Sequence, residues 1–140
     1  LKPDGTNYTA AAGAADITSD IIDMQGYDGI RFVEGFGTIT AGAVTSLKVQ
    51  QGAAATMSDG ADLAGTGQTV ADTDDGKMFI SEIYRPQERY LRVITKRATQ
   101  NAVVDFLIAE LYAPRVTPVA QDATVGGTQE IVSGPLEGTA

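Results

Sequence analysis

The chain has 140 residues, a length suited to one domain with a core of its own. It contains neither histidine nor cysteine, so within it Ser-His-Asp and Cys-His catalysis, His- or Cys-based zinc sites and disulfide staples are excluded. A net charge of −8 disfavours nucleic acid and anionic membranes as partners.

Residues 1–16 are small and polar and predict an N-terminal extended arm or edge segment. The acids around Ile21, Ile22 and Met24 predict a short strand, and Tyr27-Asp28-Gly29 a turn. From Gly29 to Phe36, Ile30 and Phe32 alternate with Arg31 and Val33, the period of a strand, which Thr38 to Ala43 continues with small residues. Ser46 to Gln51 alternates clearly, Leu47 and Val49 against Lys48 and Gln50. Residues 52–69 predict a long loop anchored by Met57 and Leu63. Lys77 to Tyr84 sets Met78, Ile80 and Glu82 opposite Phe79, Ser81 and Ile83, and Pro86 ends it. Arg89 to Arg97 sets Leu91 and Val93 opposite Tyr90, Arg92 and Ile94.

Ala102 to Tyr112 fits two periods. Val104, Leu107, Ile108 and Leu111 have helical spacing, whereas Val104, Phe106 and Ile108 have the period of a strand. Its β-branched and aromatic content favours a strand, stopped at Pro114. Residues 115–140 carry few large apolar side chains and predict a C-terminal extended arm, with Val116, Val119, Val125, Ile131 and Val132 as anchors on a neighbour. The expectation is an all-β, jelly-roll-like β-sandwich of about seven or eight antiparallel strands over residues 17–114, with arms at 1–16 and 115–140. No apolar run approaches a membrane-spanning length, and no secretory leader is expected.

Three constellations bear on chemistry. Asp72-Thr73-Asp74-Asp75-Gly76 is the best candidate for a hard cation, but it lacks the alternate spacing and distal Glu of a calcium loop, and a solvated hairpin turn is the expectation. Glu34, Glu82 and Glu110 are the carboxylates that glycoside hydrolysis would need to pair; strand-borne glutamates facing solvent are the simpler reading. Gly65-Thr66-Gly67 lacks the lysine and helix of a phosphate loop. No catalytic residue, cofactor or metal is therefore expected. Half of the ten basic residues lie between Arg85 and Arg97: Arg85, Arg89, Arg92, Lys96 and Arg97. They form either an outer face that salt-bridges to neighbouring acids or a patch for an acidic protein surface.

The stretch Ser46-Leu47-Lys48-Val49-Gln50-Gln51-Gly52, the loop Asp59-Gly60-Ala61-Asp62-Leu63-Ala64, and the strings Tyr84-Arg85-Pro86, Glu88-Arg89-Tyr90-Leu91-Arg92-Val93 and Ala109-Glu110-Leu111-Tyr112 carry a resemblance over residues 20–115. In these the chain resembles the small cement or decoration proteins of tailed bacteriophage heads. The resemblance implies a non-enzymatic virion structural protein, made in the host cytoplasm and placed on the outer capsid surface. Its partner would be the major capsid protein, and it would work as a homo-oligomer, a dimer or trimer. The alternative from another class is a carbohydrate-binding or adhesin-like sandwich using Tyr27, Tyr84 and Tyr90.

Overall fold

A computed structural model describes residues 11–116. Ten strands follow in chain order: β1 (Ala11–Gly13), β2 (Ile17–Thr18), β3 (Ile22–Asp23), β4 (Tyr27–Ile39), β5 (Val44–Gly52), β6 (Ala61–Asp62), β7 (Gln68–Val70), β8 (Met78–Tyr84), β9 (Tyr90–Ala98) and β10 (Ala102–Pro114). The described residues include no helix. One sheet has the order β1-β10-β4-β8; the other has β2-β9-β5-β6, with β3 also on β9 and β7 also on β5. Every pairing is antiparallel. This is the all-β sandwich that the alternating sequence predicts. Its weight is carried by β4, β5, β8, β9 and β10; the others have two or three residues each.

The inner faces follow the period of two. Ile30, Phe32 and Phe36 of β4, Leu47 and Val49 of β5, and Leu91 and Val93 of β9 are buried. They divide into two apolar clusters. One gathers Met24, Ile30, Phe32, Val49, Leu91 and Val93; the other gathers Phe36, Ile39, Leu47, Val70, Ala102 and Val104. On β4 the residue between Phe32 and Phe36 on the inner face is Glu34, which is 1% exposed.

Three details differ from the sequence expectation. The turn falls before Tyr27, not at Tyr27-Asp28-Gly29: the Tyr27 N–H donates to the Met24 carbonyl at 3.0 Å, and β4 runs unbroken from Tyr27. The strand ends at Ile39 instead of continuing to Ala43, because the Ala43 N–H closes a turn on the Thr40 carbonyl at 2.9 Å and the chain crosses to the second sheet. Residues 52–69, expected as a loop, contain β6 and the start of β7, both paired with β5, whereas Ala11–Gly13 takes the expected edge position, beside β10.

The stretch Ala102 to Tyr112 is a strand, and its double periodicity has a physical origin. The register of β10 against β4 shifts between Ala102 and Val104 and again between Val104 and Phe106. An irregularity of this kind reverses which alternate residues face the core. Val104 is buried, and beyond the shift Leu107 and Leu111 pack on the core while Ile108 and Glu110 are exposed. The inward residues thus fall at 104, 107 and 111, a spacing that mimics a helix.

Candidate functional site

The basic stretch does not form one face. Lys96 is exposed on β9, its ammonium donating to Asp16 Oδ2 at 2.5 Å, and this contact holds the Asp16 carboxyl below its usual range. Arg92 Nε donates to Gln50 Oε1 at 2.9 Å across the β5–β9 pair. Arg97 was expected on the surface, but β9 turns it inward. It is buried, and Nε donates to the Ala15 carbonyl at 2.7 Å and Nη1 to the Ala102 carbonyl at 2.8 Å. The period of two decides this: Arg97 shares its face with Leu91, Val93 and Thr95. Buried there, Arg97 presents no surface contact to a partner.

The structure does bring Arg85 and Arg89 together, and adds Arg115. All three line a cleft of about 670 Å³ at the end of the sandwich where β8 leads into β9, with Met24, Tyr27, Asp28, Pro86 and Glu88. Arg89 grips Asp23 with two parallel bonds of 2.7 Å, which depresses the Asp23 carboxyl, and also donates to Gln25 Oε1. Arg115 holds Asp28 Oδ1 through Nε at 2.9 Å and Nη2 at 2.8 Å, and its N–H donates to the Gly26 carbonyl. Arg85 sits at φ 52°, with its N–H on the Asp28 carbonyl at 2.7 Å. Its guanidinium lies over the Tyr84 ring, 5.2 Å from the centroid, and 3.8 Å from Asp28 Oδ2. Sequence reasoning missed Arg115, which lies eighty-seven positions from the aspartate that positions it.

A second surface is the outer face of the first sheet. Across β10, β4 and β8 the register sets Tyr112–Gly29–Tyr84, Glu110–Arg31–Glu82, Ile108–Val33–Ile80 and Phe106–Gly35–Met78 in successive rows. Met78 is 65% exposed, Tyr84 58%, Ile80 54% and Ile108 45%. A Cβ on Gly29 would lie 2.1 Å from the Tyr112 ring, and one on Gly35 2.2 Å from the Phe106 ring. The two glycines let the aromatic rings of β10 lie flat across β4. The signal for this face was in the sequence: Lys77 to Tyr84 places apolar residues on both of its faces.

The three glutamates do not converge. Glu82 and Glu110 flank Arg31 at 3.5 and 3.6 Å on the outer face, and the Tyr112 hydroxyl donates to Glu82 Oε1 at 2.7 Å. Glu34 lies on the opposite, inner face. Burial pushes its carboxyl up to about 7, against the lowering effect of the Thr95 hydroxyl, which donates to Oε1 at 2.5 Å, and of the Arg97 charge. Glu34 Oε2 and Thr45 Oγ1 are buried without a hydrogen-bond partner.

The aspartates of 72–75 act as backbone acceptors. Asp72 takes the Gly42 N–H and Asp75 the Ile39 N–H, each at 2.7 Å, while Asp74 takes the Ala71 N–H and pairs with Lys77. They tie the β7–β8 connection to the turn after β4. Among the described residues no group of three His, Cys, Asp or Glu is placed to hold a metal ion. Thr66 of Gly65-Thr66-Gly67 likewise closes a local turn, its hydroxyl donating to the Leu63 carbonyl at 2.8 Å. Tyr84 is exposed, whereas Tyr27 and Tyr90 are half-buried and Tyr90 carries Arg89 over its ring. Val116 is exposed; Val119, Val125, Ile131 and Val132 lie outside the described residues. Comparisons of the chain with protein families, curated proteins and solved structures find no match.

Proposed function

We propose that this protein is a non-enzymatic structural protein that docks on a protein lattice and reinforces it, specifically as a cement or decoration protein on the outside of a tailed-phage head. The observation that carries the reading is the outer face of the β1-β10-β4-β8 sheet. Met78 and Ile80 on β8 and Ile108 on β10 are large apolar side chains left in solvent on either side of β4, bridged by the half-buried Val33, with Tyr84 at one end beyond Glu82. Contiguous apolar surface of this kind is uncommon on monomeric soluble proteins and marks an interaction site. Met78, Ile80 and Tyr84 stand on the edge strand β8 and Ile108 on β10, both paired along their length with the central strand β4. Many copies on a lattice add their modest contacts through multivalency. The resemblance over residues 20–115 gives the lattice its identity as the major capsid protein, with this chain acting as a dimer or trimer.

The test compares heads with and without this protein under heat and osmotic shock, then adds the purified chain back. Heads that carry it are expected to survive the harsher treatment, and depleted heads to recover on rebinding. Equal survival, together with no rebinding, overturns the proposal.

A further inference from the structure

We propose that the cleft between the β8–β9 connection and the start of β4 binds an acidic segment of a partner protein, seating one carboxylate on Arg85. The inference rests on the protein-binding reading and names the partner chemistry of a second contact. The three guanidiniums of the cleft are unequally engaged. Arg89 is matched by the two oxygens of Asp23, and Arg115 by Asp28 Oδ1. Arg85 shares that same Asp28 at the longer distance of 3.8 Å, and its side chain is 69% exposed. A guanidinium presents a planar fork of donors that suits a carboxylate.

Arg85 is also held in place before any ligand arrives. Its backbone occupies the left-handed region at φ 52°, a conformation that costs a non-glycine residue free energy and persists only where the surroundings fix it. Here the fixing contacts are the Arg85 N–H on the Asp28 carbonyl and the ring of Tyr84 beneath the guanidinium, held against the extended preference that Pro86 imposes on the residue before it. Such preorganisation lowers the ordering cost of binding.

The other walls select among anions. Asp28 and Glu88 line the cleft, so a phosphodiester chain or polyphosphate would meet two carboxylates and a protein of charge −8. A single carboxylate flanked by apolar side chains avoids that conflict, and Met24, Tyr27 and Pro86 supply apolar wall for those flanks. An acidic–apolar polypeptide segment fits; nucleic acid does not.

The probe is a pool of end-capped hexapeptides with Asp or Glu at one position and apolar residues elsewhere, titrated into the full chain while the Arg85 side-chain Nε–H and the Tyr27 and Gln87 amides are followed by NMR. A pool with Asn and Gln in place of the acids is the control. The acidic pool is expected to shift these signals saturably and the amide pool to leave them in place. Arg85→Gln should weaken binding, read from the two amides, by about tenfold, while Arg92→Gln should leave it unchanged. Equal binding of the amide pool, full affinity in Arg85→Gln, or no saturable shift with any acidic pool overturns the inference. Each of these can occur while the wild-type protein still rebinds heads, in which case the cleft proposal falls alone. Failure to rebind heads with a saturable acidic shift intact removes the capsid reading instead.

Discussion

At the scale of single residues the most consequential choice is a carboxyl inside the sandwich. Glu34 occupies an inner position of β4 that its neighbours Phe32 and Phe36 fill with aromatic rings. Burial raises its carboxyl from 4.5 to about 7, and one of its oxygens has no partner. The sign of the linkage follows. Between pH 4.5 and 7 the folded chain keeps this proton while the unfolded chain releases it, so folding takes up a proton. Its contribution to stability is full below pH 4.5 and is lost as the pH rises through 7, over a span of about 3 kcal/mol. Asp16 and Asp23 are shifted the other way, held low by Lys96 and Arg89, and they lose stability as the pH falls. The Glu34 effect is therefore isolated by comparison with Glu34→Gln. The stability difference between variant and wild type, measured by urea melts from pH 4 to pH 8.5, is expected to move in favour of the variant by about 3 kcal/mol across that range. A difference independent of pH would show that Glu34 titrates normally.

At the scale of elements, the cross-strand pairs Phe106–Gly35 and Tyr112–Gly29 seat the aromatic rings of β10 on the backbone of β4. Gly35→Ala places a methyl where the Phe106 ring lies and should cost about 1–3 kcal/mol. In a Phe106→Ala background the same change meets open space, so the double-mutant cycle in chemical denaturation should return a coupling above about 0.5 kcal/mol. Additive effects would mean that the ring does not rest on the glycine. The strands themselves were legible where one face is buried and the other wet: Leu47 and Val49 of β5, and Leu91 and Val93 of β9, alternate cleanly and fall where the pattern sets them. Legibility failed where tertiary structure overrides local pattern. The register shift in β10 writes a helical spacing into a strand, and β4 absorbs Tyr27-Asp28 because the preceding Gln25-Gly26 makes the turn. The arginine cleft was half legible. Arg85 and Arg89 stand out as charges close in sequence, but their separation from Arg92, Lys96 and Arg97 depends on which strand face each occupies. Arg115 joins them only through the long β4–β10 pairing.

At the scale of the whole molecule, the sandwich presents different chemistry on its surfaces. Around β9 the Lys96–Asp16 and Arg89–Asp23 ion pairs neutralise the surface locally and Arg92 is hydrogen-bonded by Gln50, exposed contacts that contribute little to binding. Of the four rows on the outer face of the other sheet, two are apolar, one carries Tyr112 and Tyr84, and one is charged, Glu110–Arg31–Glu82, with two carboxylates on one guanidinium. That charge row argues against a second copy stacked face to face about an axis on β4. Such an axis would set Arg31 against Arg31 and glutamate against glutamate. A different protein, apolar with a cation to meet the excess carboxylate, matches better. If this face is the lattice contact, a charge placed among its exposed apolar side chains should weaken docking without touching the fold. Ile80→Lys puts an ammonium among Val33, Ile108 and Met78 on an exposed position, where surface substitutions change stability by about 0.5 kcal/mol or less. Binding to heads stripped of this protein, measured by cosedimentation, should fall by at least about tenfold for Ile80→Lys, because a buried unpaired charge at an interface costs several kcal/mol. Lys96→Gln, which leaves that face intact and alters an ion pair around β9, should bind within about twofold of the wild type. Wild-type binding by Ile80→Lys with loss in Lys96→Gln would move the contact from the apolar sheet face to the opposite side of the sandwich.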